Sequence, residues 1–269
     1  MIALSLLLAA AAVLAPIPAG LWVAGGNVDR PGPILWLLIL VAVAGPAAWV
    51  ATRIVLDGTT QFGVAIGLSA TVTAALHAAV AAATRQGWRL TPIVMAYVVT
   101  ALLIALVTSG YPAAPESGGA IETAWVWGHI VFAVAAYSLL TLAALAGVGV
   151  LFRERAIKRK HPTDWSAMLP SVADGDRLQV GLMVLCAAVL ALGVATGVAS
   201  RYVAGTPLFE IDHKSLLSLV ALVVVLALAL AHRLTGVRGR EVARWILGAY
   251  LLLTLAYPGV KFVTDVLMA

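Results

Sequence analysis

Long, uniformly apolar runs constrain the fold of this chain more than any other feature. A helix crossing the ~30 Å hydrocarbon core of a bilayer needs ~20 mostly apolar residues, because each residue adds ~1.5 Å. Eight stretches meet that requirement, at approximately 2–25, 34–56, 61–84, 90–110, 123–152, 178–203, 214–235 and 242–267. A transmembrane barrel would instead show alternating segments of about 10 residues. The predicted fold class is therefore all-α: a polytopic membrane helix bundle of eight transmembrane helices, forming a single membrane domain over 1–269. Composition excludes the alternatives. With 62% hydrophobic and 11% charged residues, the chain lacks the polar surface of a soluble domain, which averages about 25% charged. It equally lacks the charge of a disordered one.

Turn and charge signals separate the runs: Gly25-Gly26-Asn27 to Pro33, Leu56-Asp57-Gly58, Arg85-Gln86-Gly87, Gly110 to Gly119, Arg153 to Arg177, Gly205-Thr206-Pro207 and Arg233 to Arg240. The first run has no basic leader and no clear small-residue cleavage site, so it reads as a retained span. Of the 17 Lys and Arg residues, all but Arg53, Arg201, Lys214 and Lys261 fall on one side of the predicted bundle. Positive charge stays cytoplasmic, which predicts both termini outside. The basic run Arg153–Lys160 is read as this topology signal and a contact with anionic lipid. Nothing in the chain points to nucleic acid.

The chemistry must come from few residues. The lone cysteine, Cys186, lies in an apolar run, and there is no C-x-x-C-H attachment motif, so the chain is not itself a c-type cytochrome. No H-E-x-x-H, phosphate loop or Ser-His-Asp pattern is present. Ionisable groups within a membrane are costly and are functional candidates by default. Here they are histidines. His161 sits between Lys160 and Pro162 in the longest break and is set aside as solvated. His77 lies 16 residues into the third run and His232 18 residues into the seventh, nominal depths of ~24 and ~27 Å from the outer edge. His129 is ~9 Å into the fifth run, and His213 stands at the outer lip of the seventh.

An inner pair (His77, His232) and an outer pair (His129, His213) thus emerge. Two neutral imidazoles facing one another across an apolar slot suit bis-His ligation of haem iron, with basic residues at the rim for the propionates. Arg85, Arg89, Arg233, Arg238 and Arg240 are the inner rim candidates, and Arg53, Arg201 and Lys214 the outer ones. Trp125 and Trp127 flank His129, as an interfacial aromatic belt or as the wall of a haem edge. Zinc would want a tight cluster of four ligands, which this spacing does not supply. Histidines that merely join helices by hydrogen bonds are the competing reading.

The order of motifs resembles a known family. Trp125 to Arg153 (WVWGHIVFAVAAYSLLTLAALAGVGVLFR), Phe209 to Ser215 (FEIDHKS), Ala231 to Arg240 (AHRLTGVRGR), Arg85 to Val94 (RQGWRLTPIV) and LAYPGVKF near the C-terminus carry the likeness. They are similar to the CcsA/CcmC/ResC cytochrome c assembly family, and the length points to its short, HemX-like branch. The resemblance implies a bacterial inner-membrane protein of cytochrome c biogenesis that binds one or two haem b groups. Its implied partners are haem, the lipid bilayer, and cytochrome c assembly proteins or an apocytochrome. By position His232 matches the family's membrane histidine, His77 is its partner, and His129 matches the outer histidine. Of the family's W-D-P-K-E core only Asp212 and Lys214 stand, with His213 in place of the proline. The expected activity is haem holding or transfer rather than independent enzymology. A di-haem electron-transferring cytochrome b and a haem-free accessory or regulatory subunit are the alternatives.

Overall fold

The computed structural model of the chain describes all residues except 1, 27–29, 58–60, 110–123, 161–163, 204, 206–212, 237–238, 260–261 and 264–269. Among the described residues the regular structure is entirely helical. The first predicted span is divided into α1 (Ile2–Leu14) and α2 (Ile17–Ala24). The break falls at Pro16, which has no N–H and crowds the preceding turn, whereas Pro18 is tolerated in the first turn of α2. Helix α3 (Pro33–Asp57) accommodates Pro46, and α4 (Phe62–Ala83) is joined through a 3₁₀ turn at Gly87–Leu90 to α5 (Thr91–Thr108). The long helices α6 (Ala124–Lys158) and α8 (Val172–Val203) flank a short α7 (Asp164–Met168). Then come α9 (His213–Thr235) and α10 (Arg240–Thr254), which runs into a π-turn at Leu255–Gly259.

Six helical segments are long and apolar enough to cross a membrane: Ser5–Ala24, Pro33–Leu56, Phe62–Ala83, Gly87–Thr108, Ala124–Lys158 and Val172–Val203. The protein is therefore a polytopic helical membrane protein. The remaining two predicted spans correspond to shorter apolar lengths. In α9 the apolar stretch is Ser218–His232. Helix α10 has 15 residues, a rise of only ~22 Å, because it begins with Arg240, Glu241 and Arg244 and loses α-helical pairing where Pro258 enters the π-turn.

Helices α4 and α6 form the centre. Helix α6 packs along α8 and also meets α10 and α4, while α4 meets α3 and α5. Helices α1 and α2 cover α3 and α5, and α9 lies on α8 and α10. Between helices in lipid there is little hydrophobic driving force, so close approach depends on small residues. A Cβ on Gly45 of α3 would lie 2.6 Å from Ala15 Cβ and 2.8 Å from the Ala11 carbonyl oxygen. One on Gly67 of α4 would lie 2.5 Å from the Trp49 ring. Hydroxyls in α4 are satisfied within the helix: Ser69, Thr71 and Thr73 donate to the carbonyls four residues earlier. Ser138 of α6 reaches across to the Ser69 carbonyl at 3.2 Å.

Because the obstacle at Gly45 is partly backbone, which cannot rotate away, Gly45→Ala should destabilise the protein by about 1–3 kcal/mol through overpacking. The check is thermal unfolding in detergent, where the midpoint should fall. An unchanged midpoint would show that α1 and α3 are not in this register.

Candidate functional site

The four candidate histidines fall in different settings. His129 is in the second turn of α6, and its Nδ1 lies 2.7 Å from the Gly193 carbonyl oxygen of α8. A carbonyl only accepts, so Nδ1 carries a proton, and in the neutral ring Nε2 is the nitrogen with the lone pair. The ring fits against α8 because Gly197 has no side chain: a Cβ there would lie 3.0 Å from Nδ1 and 3.1 Å from Cε1. Gly193 itself faces Phe132, with a Cβ position 3.4 Å from Phe132 Cβ. The G-V-A-T-G stretch of α8 thus seats an imidazole by its backbone and leaves the residue exposed. A histidine whose Nδ1–H is held by a backbone carbonyl has its tautomer and orientation fixed for ligation through Nε2. Trp125, one turn before His129 and on the same helix face, is 47% exposed, and Trp127, two residues before it on the opposite face, is 45% exposed. Arg201 lies one turn beyond Gly197 on α8 and is partly buried.

His77 is enclosed. It is fully buried in α4, with Nε2 3.0 Å from Thr91 Oγ1. The Thr91 hydroxyl donates its one proton to the Trp88 carbonyl at 2.5 Å, so the imidazole must be the donor in the His77–Thr91 pair. The bare atom is therefore Nδ1, which is buried and has no hydrogen-bond partner. His232 is partly buried on α9. The two helices do not pack side by side: α4 lies among α3, α5 and α6, and α9 on α8 and α10. Equal depth, which sequence spacing supplies, does not fix which helices are neighbours.

The rim candidates are scattered. Arg85 is exposed, and Arg240 is exposed at the start of α10. Arg89 lies with its guanidinium carbon 5.0 Å from the centre of the Trp88 ring. Arg53 donates to the Ser109 carbonyl at 2.7 Å, closing α3 onto the end of α5. His213 and Lys214 belong to the first turn of α9 and Arg233 to its last, but their side chains lie outside the described residues, as does Arg238. Among the described residues no group of three or more His, Cys, Asp or Glu side chains comes together to hold a metal ion.

Several positioning residues were not legible as such. Thr91, Gly193 and Gly197 orient the two histidines. Asp176 is buried near the start of α8, where Oδ1 accepts Gln179 Nε2 and the Gly239 N–H, both at 2.8 Å. It thereby fixes the turn from α9 into α10 at Gly239, whose φ of 65° suits glycine. Tyr137 joins α6 to α10, its hydroxyl 3.3 Å from that of Tyr250 and 3.4 Å from Thr254 Oγ1.

The model of the cytochrome c assembly protein family matches residues 62–268. The chain belongs to that family. Helices α4 to α10 lie in the matched region, and α1 to α3 precede it. The chain is also 41% identical over 261 residues to an uncharacterised 28.8 kDa protein in the nifR3-like 5′ region of Azospirillum brasilense, covering 96% of each. It is 26% identical over 191 residues to the inner membrane protein YpjD of Escherichia coli K12, covering 70% of this chain and 69% of YpjD.

Removing the acceptor for the buried His77 N–H leaves a polar group unsatisfied, at a cost of about 1–3 kcal/mol. Thr91→Val should therefore lower the thermal midpoint in detergent, and Thr91→Ser should restore most of it. Equal midpoints for the valine and serine variants would mean that the hydroxyl contributes nothing.

Proposed function

We propose that this family member is a haem-handling protein of cytochrome c biogenesis in the bacterial inner membrane, holding or passing haem b as its cargo through histidine ligation. The observation that carries the reading is the His129–Gly193 hydrogen bond, which leaves Nε2 as the open donor of an exposed histidine, with Trp125 one turn away on the same helix face. That donor set suits haem iron, an apolar macrocycle and, with Arg201 one turn away on α8, an anionic propionate. His213 is the proposed second outer ligand and Lys214 a second outer counter-charge. The iron supplies whatever redox chemistry the bound group has. The protein's part is to bind, orient and shield.

His77 and His232 are proposed as an inner pair, in a state where α4 and α9 share a slot. Ligation by His77 then requires either its Nδ1 or release of Nε2 from Thr91. Arg85 and Arg233 would stand at the rim of such a site. The His77–Thr91 bond also favours a second reading for that residue alone, as a packing group that ties α4 to the start of α5. The proposed topology keeps eight crossings and both termini outside, with the Arg153–Lys160 region cytoplasmic. The family match and the inner-membrane relative support this reading.

The test is the optical spectrum and haem-to-protein ratio of the purified protein. A six-coordinate low-spin haem spectrum is expected, and His129→Ala should lower the ratio. His77→Ala and His232→Ala, made separately, should each lower it if the inner pair ligates. Full retention in both would assign His77 to packing. A colourless protein that also fails to take up added haemin would overturn the proposal.

A further inference from the structure

The Gly193 carbonyl receives more donors than it has lone pairs. His129 Nδ1 lies 2.7 Å from its oxygen and Thr196 Oγ1 3.0 Å. Because Gly193 lies within α8, the same oxygen also faces the N–H of Gly197, four residues on. A carbonyl oxygen has two lone pairs, so the three donors compete. The backbone N–H is fixed by the helix, and the imidazole by the seat that Gly197 leaves open, where a Cβ would lie 3.0 Å from Nδ1. The Thr196 proton has a second acceptor. Its Oγ1 stands 2.9 Å from the Leu192 carbonyl oxygen and 3.0 Å from that of Gly193, two nearly equal choices for one proton. Thr71 and Thr100, by contrast, donate to the carbonyl four residues earlier. The Thr196 methyl faces α6 beside the histidine: a Cβ on Gly128 would stand 3.9 Å from it. The side chain is therefore held at the α6–α8 contact, next to His129.

We propose that Thr196 is a positioning residue for the outer histidine: through the Gly193 carbonyl it sets how strongly the Nδ1–H of His129 is held, and so how strong a donor Nε2 is. The consequence at iron rests on the reading of His129 as a haem ligand, whereas the effect on the ring does not. Each further donor draws electron density from the carbonyl oxygen and weakens it as an acceptor for the others. The more firmly Nδ1–H is bound by its acceptor, the more basic Nε2 becomes as a ligand. Donation from Thr196 to Gly193 therefore moderates the histidine, and a turn of the hydroxyl toward Leu192 strengthens it. Hydrogen bonding around the axial ligand is one of the levers a protein has over haem iron. A moderated ligand suits a haem that is held as cargo and then passed on.

Thr196→Ala and Thr196→Ser both lose the methyl and differ only in the hydroxyl. In haem-free, histidine-labelled full chain in lipid, Thr196→Ala should move the His129 Nδ1 ¹⁵N signal and that of its proton to higher frequency, the direction of a stronger hydrogen bond. Thr196→Ser should keep both at their positions in the unmodified protein. With haem bound, Thr196→Ala should lower the midpoint potential and slow haem transfer to apomyoglobin a few-fold, and Thr196→Ser should do neither. Coincident nitrogen signals in the alanine and serine variants, or an alanine shift to lower frequency, overturn the proposal whatever the haem result. Equal potentials in the two haem-loaded variants overturn its effect on iron. A protein that takes up no haem, with the nitrogen signal moved as stated, defeats the haem reading and supports the role of Thr196. Thr196→Val, which keeps the branched shape without the hydroxyl, supplies the same comparison should Thr196→Ala fail to fold.

Discussion

The close approach of α6 to α8 is the constraint on which the rest of the structure depends. The two helices run antiparallel and meet at matched points where one of them has no side chain. A Cβ at Gly175 would lie 2.7 Å from Val150, one at Gly193 3.4 Å from Phe132 and one at Gly197 3.0 Å from His129. Between these points Cys186 donates its S–H to the Ala136 carbonyl at 3.3 Å. In lipid, where apolar surface gains nothing by leaving solvent, van der Waals contact and short polar bridges must hold helices together. Backbone proximity here does both. It packs the bundle, and it brings the Gly193 carbonyl within reach of an imidazole on the facing helix.

Structural and functional roles are therefore hard to separate in this fold. The carbonyl that fixes His129 belongs to the same surface that seats α6. Its carbonyl oxygen also accepts from Thr196 Oγ1 at 3.0 Å, so it is not shared with solvent alone. At the opposite end of α8, Asp176 fixes the turn from α9 into α10 through Gly239. One helix thus anchors the elements carrying three of the four candidate histidines: His129 on α6, and His213 and His232 on α9. By contrast His77 belongs to the α4–α5 unit, and Thr91 rather than α8 sets its ring. His129 and His77 are thus oriented by different means, one by the Gly193 carbonyl and the other by the Thr91 hydroxyl.

The helical membrane character was legible from the apolar runs: the first four spanning segments end within about three residues of them, while Ala124–Lys158 runs past the predicted 152 and Val172–Val203 begins before the predicted 178. Within the first, Pro16 divides the run into two helices. Among the described residues the last two runs give shorter apolar helices, α10 because of its charged start and Pro258. The histidines were legible as candidates because they are the ionisable residues within apolar runs. Their partners were not, since Thr91 and Gly193 look like an ordinary helix start and an ordinary small residue. G-V-A-T-G had a readable signal, two glycines spaced four apart. That spacing announces a close helix contact but does not say that a histidine fills it.

The central claim is that α8 fixes His129 as the tautomer protonated at Nδ1, with Nε2 open to iron. The most direct measurement is ¹⁵N magnetic resonance of histidine-labelled protein in lipid, with His129 assigned by difference from His129→Ala. A protonated, pyrrole-type Nδ1 and a pyridine-type Nε2 are predicted, with the Nε2 signal lost or shifted by the paramagnet when ferric haem is added. A proton on Nε2 instead, or an Nε2 signal unmoved in protein that carries haem, would contradict the account.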